Sequence, residues 1–254
     1  MDKVTCLCPT YGRFNDLRNS LTFFLHQTYD NKEMIILNDA PVPITCEFPD
    51  VRVVNKDERY ETLGHKRQAL LEMADSPYIA QWDDDDVYLP WHLESCMSEI
   101  DRGCMVKPEE AFYLRGRIGG RFDWKGTTRN WLEAMTVCDR EQALALGGYT
   151  EDVSGQCIRL IKRFQRDSNY VEFTPRPAPT FVFRFADGHF HIQGGNKESH
   201  ERFGEVNTDF GNEPLRPRKV TEYYEVLKEN GPDYTSDVDT FHQLIDLWQE
   251  SPIS

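Results

Sequence analysis

The chain has 254 residues, of which 39% are hydrophobic, and its formal net charge at pH 7 is −14. That length is enough for one large α/β domain with a full core and leaves room for a small subdomain. The negative charge excludes a protein that grips nucleic acid over its whole surface, because phosphate binding depends on Lys and Arg.

The chain lacks the sequence features of a membrane or secreted protein. No apolar run approaches the roughly 18 residues that cross a bilayer, and the first residues show no signal-peptide pattern. The seven cysteines are an odd number and lack the spacing of a metal site. We therefore expect a cytoplasmic protein with free thiols and no stable membrane insertion.

The first hundred residues alternate between short apolar runs and segments of helical periodicity. The predicted strands are 3–8, which is ended by Pro9, then 34–37, 51–54 and 78–82. The predicted helices are 17–25 and 60–73. This alternation predicts an α/β fold with a mostly parallel sheet that is covered by helices on both faces.

The second half of the chain is less regular. Glycines between 116 and 126 interrupt aromatic and basic residues, which predicts a hairpin or a flexible loop. Residues 180–185 are predicted to form a strand, and 220–229 and 238–249 two helices separated by Asn230-Gly231-Pro232.

Positive charge is concentrated in two stretches of the acidic chain. Residues 115–129 contain five basic residues and one acidic residue, and residues 159–166 contain four basic residues and no acidic one. A solvated helix face with a loop and an anion-binding surface explain this pattern about equally well.

Three polar clusters follow predicted strands, where ligands collect in an open α/β sheet. They are residues 9–13, the pair Asn38-Asp39, and the four aspartates at 83–86. Four adjacent carboxylates repel one another, so their ionisation requires solvent or a cation. Mn²⁺ or Mg²⁺ would bind one or two of them and take its other ligands from water and a diphosphate. The alternative is an acidic turn in solvent, which the apolar residues on both sides disfavour.

Four motifs, in consistent order and spacing, resemble the donor half of family 2 glycosyltransferases. They are VTCLCPTYGR at 4–13, QTY at 27–29, MIILND at 34–39 and YIAQWDDDDVYLP at 78–90. The resemblance implies a GT-A fold, an inverting mechanism and a nucleoside-diphosphate sugar donor. It covers about the first hundred residues, and the second half matches more loosely.

The resemblance also implies roles for individual residues at the donor site. Thr10 and Arg13, within the motif that includes Pro9 and Tyr11, would line the base pocket, and Asp39 would accept a hydrogen bond from a uracil-like base or the ribose. Lys66 and Arg67 would contact the base or phosphate, and an exposed helix face is the alternative for these two.

Within the acidic motif, the resemblance assigns separate roles to individual aspartates. Asp83 would reach the ribose and Asp85 would bind the metal. The roles of Asp84 and Asp86 are less defined, and we include Asp84 among the donor-binding residues.

On the acceptor side, inversion requires a carboxylate that takes the proton from the attacking hydroxyl. The family places it after a Gly-Gly-aromatic turn, here 147–149, so Asp152 is the first candidate base and Glu151 the second. The chain departs from the family pattern at Gly155-Gln156-Cys157, where many members have an acid at the start of a helix. Helix capping is the alternative role for Asp152.

The segment 183–194 resembles the late histidine motif of GT-A enzymes, whose imidazole completes the metal site. His191 fits that position better than His189, and the Gly194-Gly195 pair allows a diphosphate to approach the backbone closely. The alternative is a structural histidine.

These observations favour a metal-dependent transfer of sugar from a UDP-sugar to an acceptor hydroxyl. The alternative is a nucleotide-sugar or metal-binding protein without turnover. The acceptor is not identified, and an anionic one, either a glycan or a hydroxylated base in DNA, would fit the basic stretches. We expect residues 1–103 to bind the donor, 104–219 to form the acceptor and catalytic half of the same domain, and 220–254 to form a helical extension.

Overall fold

The computed structural model describes residues 1–115, 121–125, 133–152, 155–167, 169–185, 213–235 and 237–250. Its strands are β1 (Val4–Thr10), β2 (Lys32–Asn38), β3 (Val51–Asn55), β4 (Tyr78–Gln81), β5 (Val87–Tyr88), β6 (Met105–Pro108), β7 (Ala111–Arg115), β8 (Arg121–Lys125), β9 (Val137–Asp139), β10 (Tyr170–Phe173) and β11 (Phe181–Phe185). Its α-helices are α1 (Phe14–Leu25), α2 (Leu63–Met73), α3 (His92–Met97), α4 (Arg140–Ala145), α5 (Gln156–Arg166), α6 (Thr221–Asn230) and α7 (Val238–Glu250).

A seven-stranded sheet in the order β10-β6-β9-β4-β1-β2-β3 forms the centre of the molecule. Strand β1 pairs in parallel with β2 and β4, and β2 pairs in parallel with β3, whereas β9 is antiparallel to both neighbours. The predicted mostly parallel α/β sheet is confirmed. Since the chain leaves β1 toward β2 and later returns to β4 on the other side, the carboxyl ends of β1 and β4 flank a switch point, where α/β folds bind ligands.

Both faces of this sheet are buried, which explains why its strands read as apolar runs. Along β1, Cys6 and Cys8 belong to the core cluster on one face, while Leu7 between them belongs to the cluster on the other. Helix α2 contributes Leu70 and Leu71 to this second cluster, and α1 packs Leu17 and other residues into the first.

Strand β1 extends two residues beyond its predicted end at Cys8. Its pairing with β4 stops at Leu7, whereas its pairing with β2 continues through Pro9 to Thr10. A proline is tolerated where one side of a strand no longer needs an N–H donor. The extension carries Thr10 to the edge of the sheet where the polar clusters meet.

A second sheet of four strands, in the order β5-β11-β7-β8, was not predicted as a unit. The sequence predicted a hairpin or a flexible loop here, and strands β7 and β8 pair antiparallel from Ala111↔Lys125 to Arg115↔Arg121, as in a hairpin. Strand β11 pairs antiparallel with β5, directly after the four aspartates, and in parallel with β7. The second sheet therefore adjoins the acidic segment that follows β4.

The C-terminal helices α6 and α7 lie within two residues of their predicted bounds and complete the core on the α1 face. The ring of Trp248 lies 5.4 Å from that of Phe23 on α1, and Phe241 lies 5.9 Å from Trp91. Aromatic rings packed at such distances contribute substantially to burial. These helices are thus integrated with the sheet domain.

Two further observations concern the cysteines and the lengths of the helices. All seven cysteines are free. Among the described helices, none has both the length and the apolar character that crossing a membrane requires.

The loop after α4 packs directly against the first turn of α2. Gly64 N donates a hydrogen bond of 3.2 Å to the backbone oxygen of Asp152. A Cβ atom at Gly64 would overlap the backbone oxygen of Thr150 and lie 2.9 Å from that of Asp152. Close backbone approach therefore explains the glycine.

We predict that Gly64→Ala lowers the free energy of unfolding by about 1 to 3 kcal/mol, because backbone atoms must move to admit the methyl group. Helix propensity by itself would stabilise this variant by about 1 kcal/mol. Urea unfolding measures the difference. The control is Glu72→Ala at an exposed site of the same helix, with an expected change within about 0.5 kcal/mol. Unchanged or increased stability of Gly64→Ala would contradict the close contact.

Candidate functional site

The four aspartates at 83–86, here called the acidic turn, follow β4 on a buried aromatic support. The ring of Trp82 is fully buried and stacks on that of Tyr88 at 3.8 Å between centroids. The hydroxyl of Tyr88 accepts a hydrogen bond from the backbone N–H of Asp83 at 2.7 Å. The buried rings of Trp82 and Tyr88 thus hold the turn in place, and the alternative of an acidic loop in free solvent is wrong.

Asp83 pairs with an arginine from α2. Arg67 donates to the Asp83 carboxylate at 2.6 Å, and the same guanidinium contacts the thiol of Cys157 in the first turn of α5. Arg67 is only 7% exposed. A buried guanidinium requires such partners, so this residue links the acidic turn to the start of α5.

Asp84 and Asp85 share one arginine from the loop after β1. Arg13 contacts the Asp84 carboxylate with one terminal nitrogen and that of Asp85, at 2.5 Å, with the other. Thr10 donates to the second oxygen of Asp84 at 2.6 Å. Burial raises the pKa of Asp84 to about 7, with the opposing charge of Arg13 and the repulsion of Asp85 as the next influences.

Asp86 faces the second sheet and is 4% exposed. Its carboxylate accepts a hydrogen bond from the backbone N–H of Arg184 at 3.3 Å. Burial, together with the charges of Asp85 and Asp83, raises the pKa of Asp86 well above its ordinary value. Asp86 therefore joins the acidic turn to β11.

Lys66 and Asp39 form a buried ion pair at the carboxyl ends of β1 and β2. The Lys66 ammonium contacts the Asp39 carboxylate and the backbone oxygen of Thr10, and Tyr60 N donates to Asp39 at 3.0 Å. Burial lowers the pKa of Lys66. Since Lys66 and Arg67 are 5% and 7% exposed, the alternative of an exposed helix face is wrong.

Tyr11 and Pro9 lie in the same loop region as Thr10. Pro9 is buried in β1, and the ring of Tyr11 is partly exposed beneath the guanidinium of Arg59, at 4.2 Å from the ring centroid. A flat aromatic face of this kind, next to the Lys66–Asp39 pair, is suited to stacking against a base.

The two candidate bases lie against the other side of the α2 N-terminus. The carboxylate of Asp152 is ion-paired with Arg159 of α5, and the side chain of Glu151 is 85% exposed, 3.7 Å from His65. Helix α5 begins after Gly155, and no side chain caps it. The helix-capping alternative for Asp152 is therefore wrong.

Gln156 and Cys157, at which the sequence departs from the family pattern, form the start of α5. Gln156 is buried, and its side-chain oxygen has no hydrogen-bond partner among the described residues. The thiol of Cys157 contacts the guanidinium of Arg67. These neutral side chains stand where many family members have an acid.

The basic residues of α5 divide between structural and exposed positions. Arg163 donates to the backbone oxygens of Leu146 and Gly148, both at 2.8 Å, and so holds the turn whose Gly147 and Gly148 have positive φ. Lys162 and Arg166 are exposed. The side chains of 115–129 lie outside the described residues, and of the two basic stretches the exposed part of α5 is the described one.

Of the two predicted metal ligands, Asp85 and His191, the described residues include Asp85. Asp85 lies at the strand edge with carboxylate oxygens, which Mn²⁺ and Mg²⁺ prefer, and the side chain of Asp83 is 21% exposed. His191, His189 and the Gly194-Gly195 pair lie outside the described residues. Within the described part of the chain, no three His, Cys, Asp or Glu side chains are grouped to hold a metal. One or two carboxylates with a diphosphate are enough for these ions, so Asp83 and Asp85 fit such a site.

Sequence reasoning missed Arg184, which bonds the acidic turn from the side opposite Arg13. Its Nε donates to the backbone oxygen of Asp85 at 2.9 Å. The available signal was an arginine inside the apolar strand Phe181–Phe185, because a charge buried in a sheet needs partners.

A protein-family model described as "Glycosyl transferase family 2" matches residues 5–135. An uncharacterized glycosyltransferase of Bacillus subtilis, YwdF, is 32% identical over 111 residues, which cover 41% of this chain and 40% of YwdF. An uncharacterized glycosyltransferase of Rickettsia bellii is 29% identical over 135 residues, covering 47% of this chain and 19% of that protein. The matches thus span less than half of either relative.

Solved structures extend the likeness to nearly the whole chain. Staphylococcus aureus TarS 1–349 in complex with UDP-GlcNAc has a TM-score of 0.57 at 12% identity, covering 97% of this chain and 71% of that one. The mannosyltransferase PcManGT from Pyrobaculum calidifontis, in complex with GDP-Man and Mn²⁺, has a TM-score of 0.50 at 15% identity, covering 72% and 56%. At these identities the likeness establishes the GT-A fold alone.

The raised pKa of Asp84 predicts how stability depends on pH in the metal-free protein. A folded-state pKa of about 7, against an ordinary 3.8, means that the folded protein binds the extra proton. The free energy of unfolding should therefore fall as pH rises from about 4 to 7. Asp84→Asn cannot titrate, so its slope should be shallower by up to about 1.4 kcal/mol per pH unit.

Urea unfolding at several pH values, with a chelator present, measures both slopes. Asp86 leaves a residual slope in the variant, because its pKa is raised in the same direction. Equal slopes in the two proteins would show that Asp84 is not held protonated in the fold.

Proposed function

The chain belongs to glycosyl transferase family 2 and is a transferase enzyme, and from this premise we propose that it moves a sugar from a UDP-sugar to an acceptor hydroxyl with inversion. The observation that carries the proposal is the arrangement at the switch point between β1 and β4. There, the carboxylate of Asp85 is paired with Arg13, and that of Asp83 is paired with Arg67. Thr10 and Asp39 lie at the same edge of the sheet.

The donor half of the proposal assigns the base to the loop regions after β1 and β2. Tyr11 would stack on the base, while Thr10, Arg13 and Asp39 would line its pocket. Structures of TarS with UDP-GlcNAc and of PcManGT with GDP-Man support a nucleotide-sugar donor for this fold. Residues 1–103 would thus form the donor-binding half.

Asp85 would hold the diphosphate end of the donor through Mn²⁺ or Mg²⁺. Asp85 would bind the metal and Asp83 the ribose. Such an ion, when bound, neutralises charge that develops on the leaving diphosphate. Arg13 pairs with Asp84 and Asp85 in this structure, and so offsets part of their negative charge. His191 is the proposed further ligand.

On the acceptor side, Asp152 would take the proton from the attacking hydroxyl as the sugar–oxygen bond forms. Its carboxylate is ion-paired with Arg159, and a carboxylate oxygen is the kind of group that accepts such a proton. Glu151 is the second candidate because it is exposed. Residues 104–219 would form this half, and the exposed Lys162 and Arg166 favour an anionic acceptor, either a glycan or DNA that carries a hydroxylated base.

A second candidate function is nucleotide-sugar binding without turnover. The neutral Gln156 and Cys157 at the start of α5, where many members have an acid, favour it. Manganese-dependent hydrolysis of UDP-sugars by the purified protein would support the enzyme, whereas UDP-sugar binding without any release of UDP would support the binding protein.

We predict that Asp85→Asn abolishes the Mn²⁺-dependent rise in melting temperature that UDP produces, because it removes a metal ligand. The rise itself reflects binding to the folded state only. The melting temperature without ligand should change little, since the Arg13 partner is partly exposed. The control is Asp101→Asn at an exposed position. An undiminished Mn²⁺ effect in Asp85→Asn would refute the assignment.

For the base, we predict that Asp152→Asn slows transfer by about a hundredfold or more while UDP binding persists, because an amide cannot accept the proton. Glu151→Gln should have a smaller effect. Steady-state kinetics with a UDP-sugar, alongside UDP binding, separate the two. If only Glu151→Gln were slow, the roles would be exchanged; if neither were slow, the base would lie elsewhere.

A further inference from the structure

Arg184 of β11 bonds four residues in three parts of the molecule, namely the acidic turn, α1 and α6. Its Nε donates to the backbone oxygen of Asp85 at 2.9 Å, and one terminal nitrogen donates to the hydroxyl of Tyr223 at 2.7 Å. The other terminal nitrogen contacts the carboxylate of Asp16. Its backbone N–H donates to the Asp86 carboxylate. All five residues are at least partly buried, so this guanidinium has a defined geometry.

Arg184 bonds the backbone oxygen of Asp85, and can therefore restrain the main chain at that residue. The Asp85 carboxylate is hydrogen-bonded to Arg13, whereas Arg184 holds the carbonyl oxygen of the same residue. A donor on the Asp85 carbonyl, together with one on the Asp86 carboxylate, instead restrains the main chain from which the Asp85 side chain projects. Small displacements of such a residue cost affinity and rate.

Tyr223 connects this restraint to the C-terminal helices. It lies on α6, is 3% exposed, and packs edge-to-face on Phe23 of α1 with ring centroids 5.6 Å apart. Its hydroxyl is therefore held at a defined place beside Arg184. Because the family match ends at residue 135, both Arg184 and Tyr223 lie beyond the part of the chain that the family model covers.

We infer that Arg184, oriented by Tyr223, is a positioning residue that sets the backbone of Asp85, so that helix α6 is a working part of the donor site. The inference rests on the proposed function in that Asp85 binds the metal–diphosphate group. The geometric claim, that α6 restrains the acidic turn through Arg184, is tested without any ligand.

The test compares Tyr223→Phe with Tyr224→Phe. The two tyrosines are neighbours on α6, and each substitution removes one hydroxyl group. Tyr224 is the control because its hydroxyl donates to Asp246 of α7 at 2.8 Å, and among the described residues Asp246 has no bond to the acidic turn. Amide hydrogen exchange of peptides that cover 82–91 is measured in the metal-free protein. Tyr223→Phe should speed exchange there about threefold or more, and Tyr224→Phe should not.

The second measurement is the Kd of UDP in the presence of Mn²⁺. Tyr223→Phe should raise it about threefold to tenfold, which is the size of effect expected for the loss of one ordinary hydrogen bond, and Tyr224→Phe should leave it unchanged. Arg184→Lys should raise it at least as much, because an ammonium keeps the charge but cannot reach three partners in a fork. Arg140→Lys, at an arginine whose Nε bonds the Leu71 carbonyl, is its control.

The two measurements test different claims, so a negative result in one does not decide the other. Equal exchange at 82–91 in Tyr223→Phe and Tyr224→Phe would overturn the positioning role, whatever the binding data show. A wild-type protein that binds no UDP with Mn²⁺ would overturn the proposed function, and the exchange data would still decide whether α6 restrains the turn. Full affinity in Arg184→Lys would show that charge alone, and not geometry, is required.

Discussion

The structure depends on keeping four adjacent carboxylates at the end of one buried strand. Burial disfavours their charge and they repel one another, so each needs a partner. Arginines supply these partners from three directions: Arg67 from α2, Arg13 from the loop after β1, and Arg184 from the second sheet. The acidic turn is therefore the point at which the two sheets and the helices around them are joined.

Helix α2 brings the separate parts of the site together. Within a single turn, Gly64 receives the loop that carries Glu151 and Asp152, Lys66 pairs with Asp39, and Arg67 reaches Asp83. The three residues lie within one turn of a regular helix, so their contacts sit at a defined spacing. The proposed donor pocket and the candidate base are consequently positioned by the same short segment.

The C-terminal part of the chain has a larger role than that of an appended extension. Aromatic side chains of α6 and α7 pack into the core cluster that also contains Trp82 beneath the acidic turn. Tyr223 adds a directed hydrogen bond to that packing. Hydrophobic burial holds these helices in place without direction, whereas the hydrogen bond specifies where Arg184 lies.

The sequence by itself determined the periodic and local features of this protein. Buried parallel strands read as apolar runs and amphipathic helices have their own period, so β1 to β4, α1, α2, α6 and α7 were predicted to within a few residues. The motifs that end β1, β2 and β4 indicated which edge of the sheet carries the site, because the carboxyl ends of parallel strands meet there.

Only the tertiary structure decided how the charges pair. Burial of Lys66 and Arg67 depends on the loop and strands packed over α2, which no local pattern records. Arg184 and Tyr223 are distant in sequence from the acidic turn, and the hydrogen bonds that join them exist only once the second sheet and α6 are in place. Long-range contacts between polar groups have no period along the chain, which is the physical reason they could not be read from it.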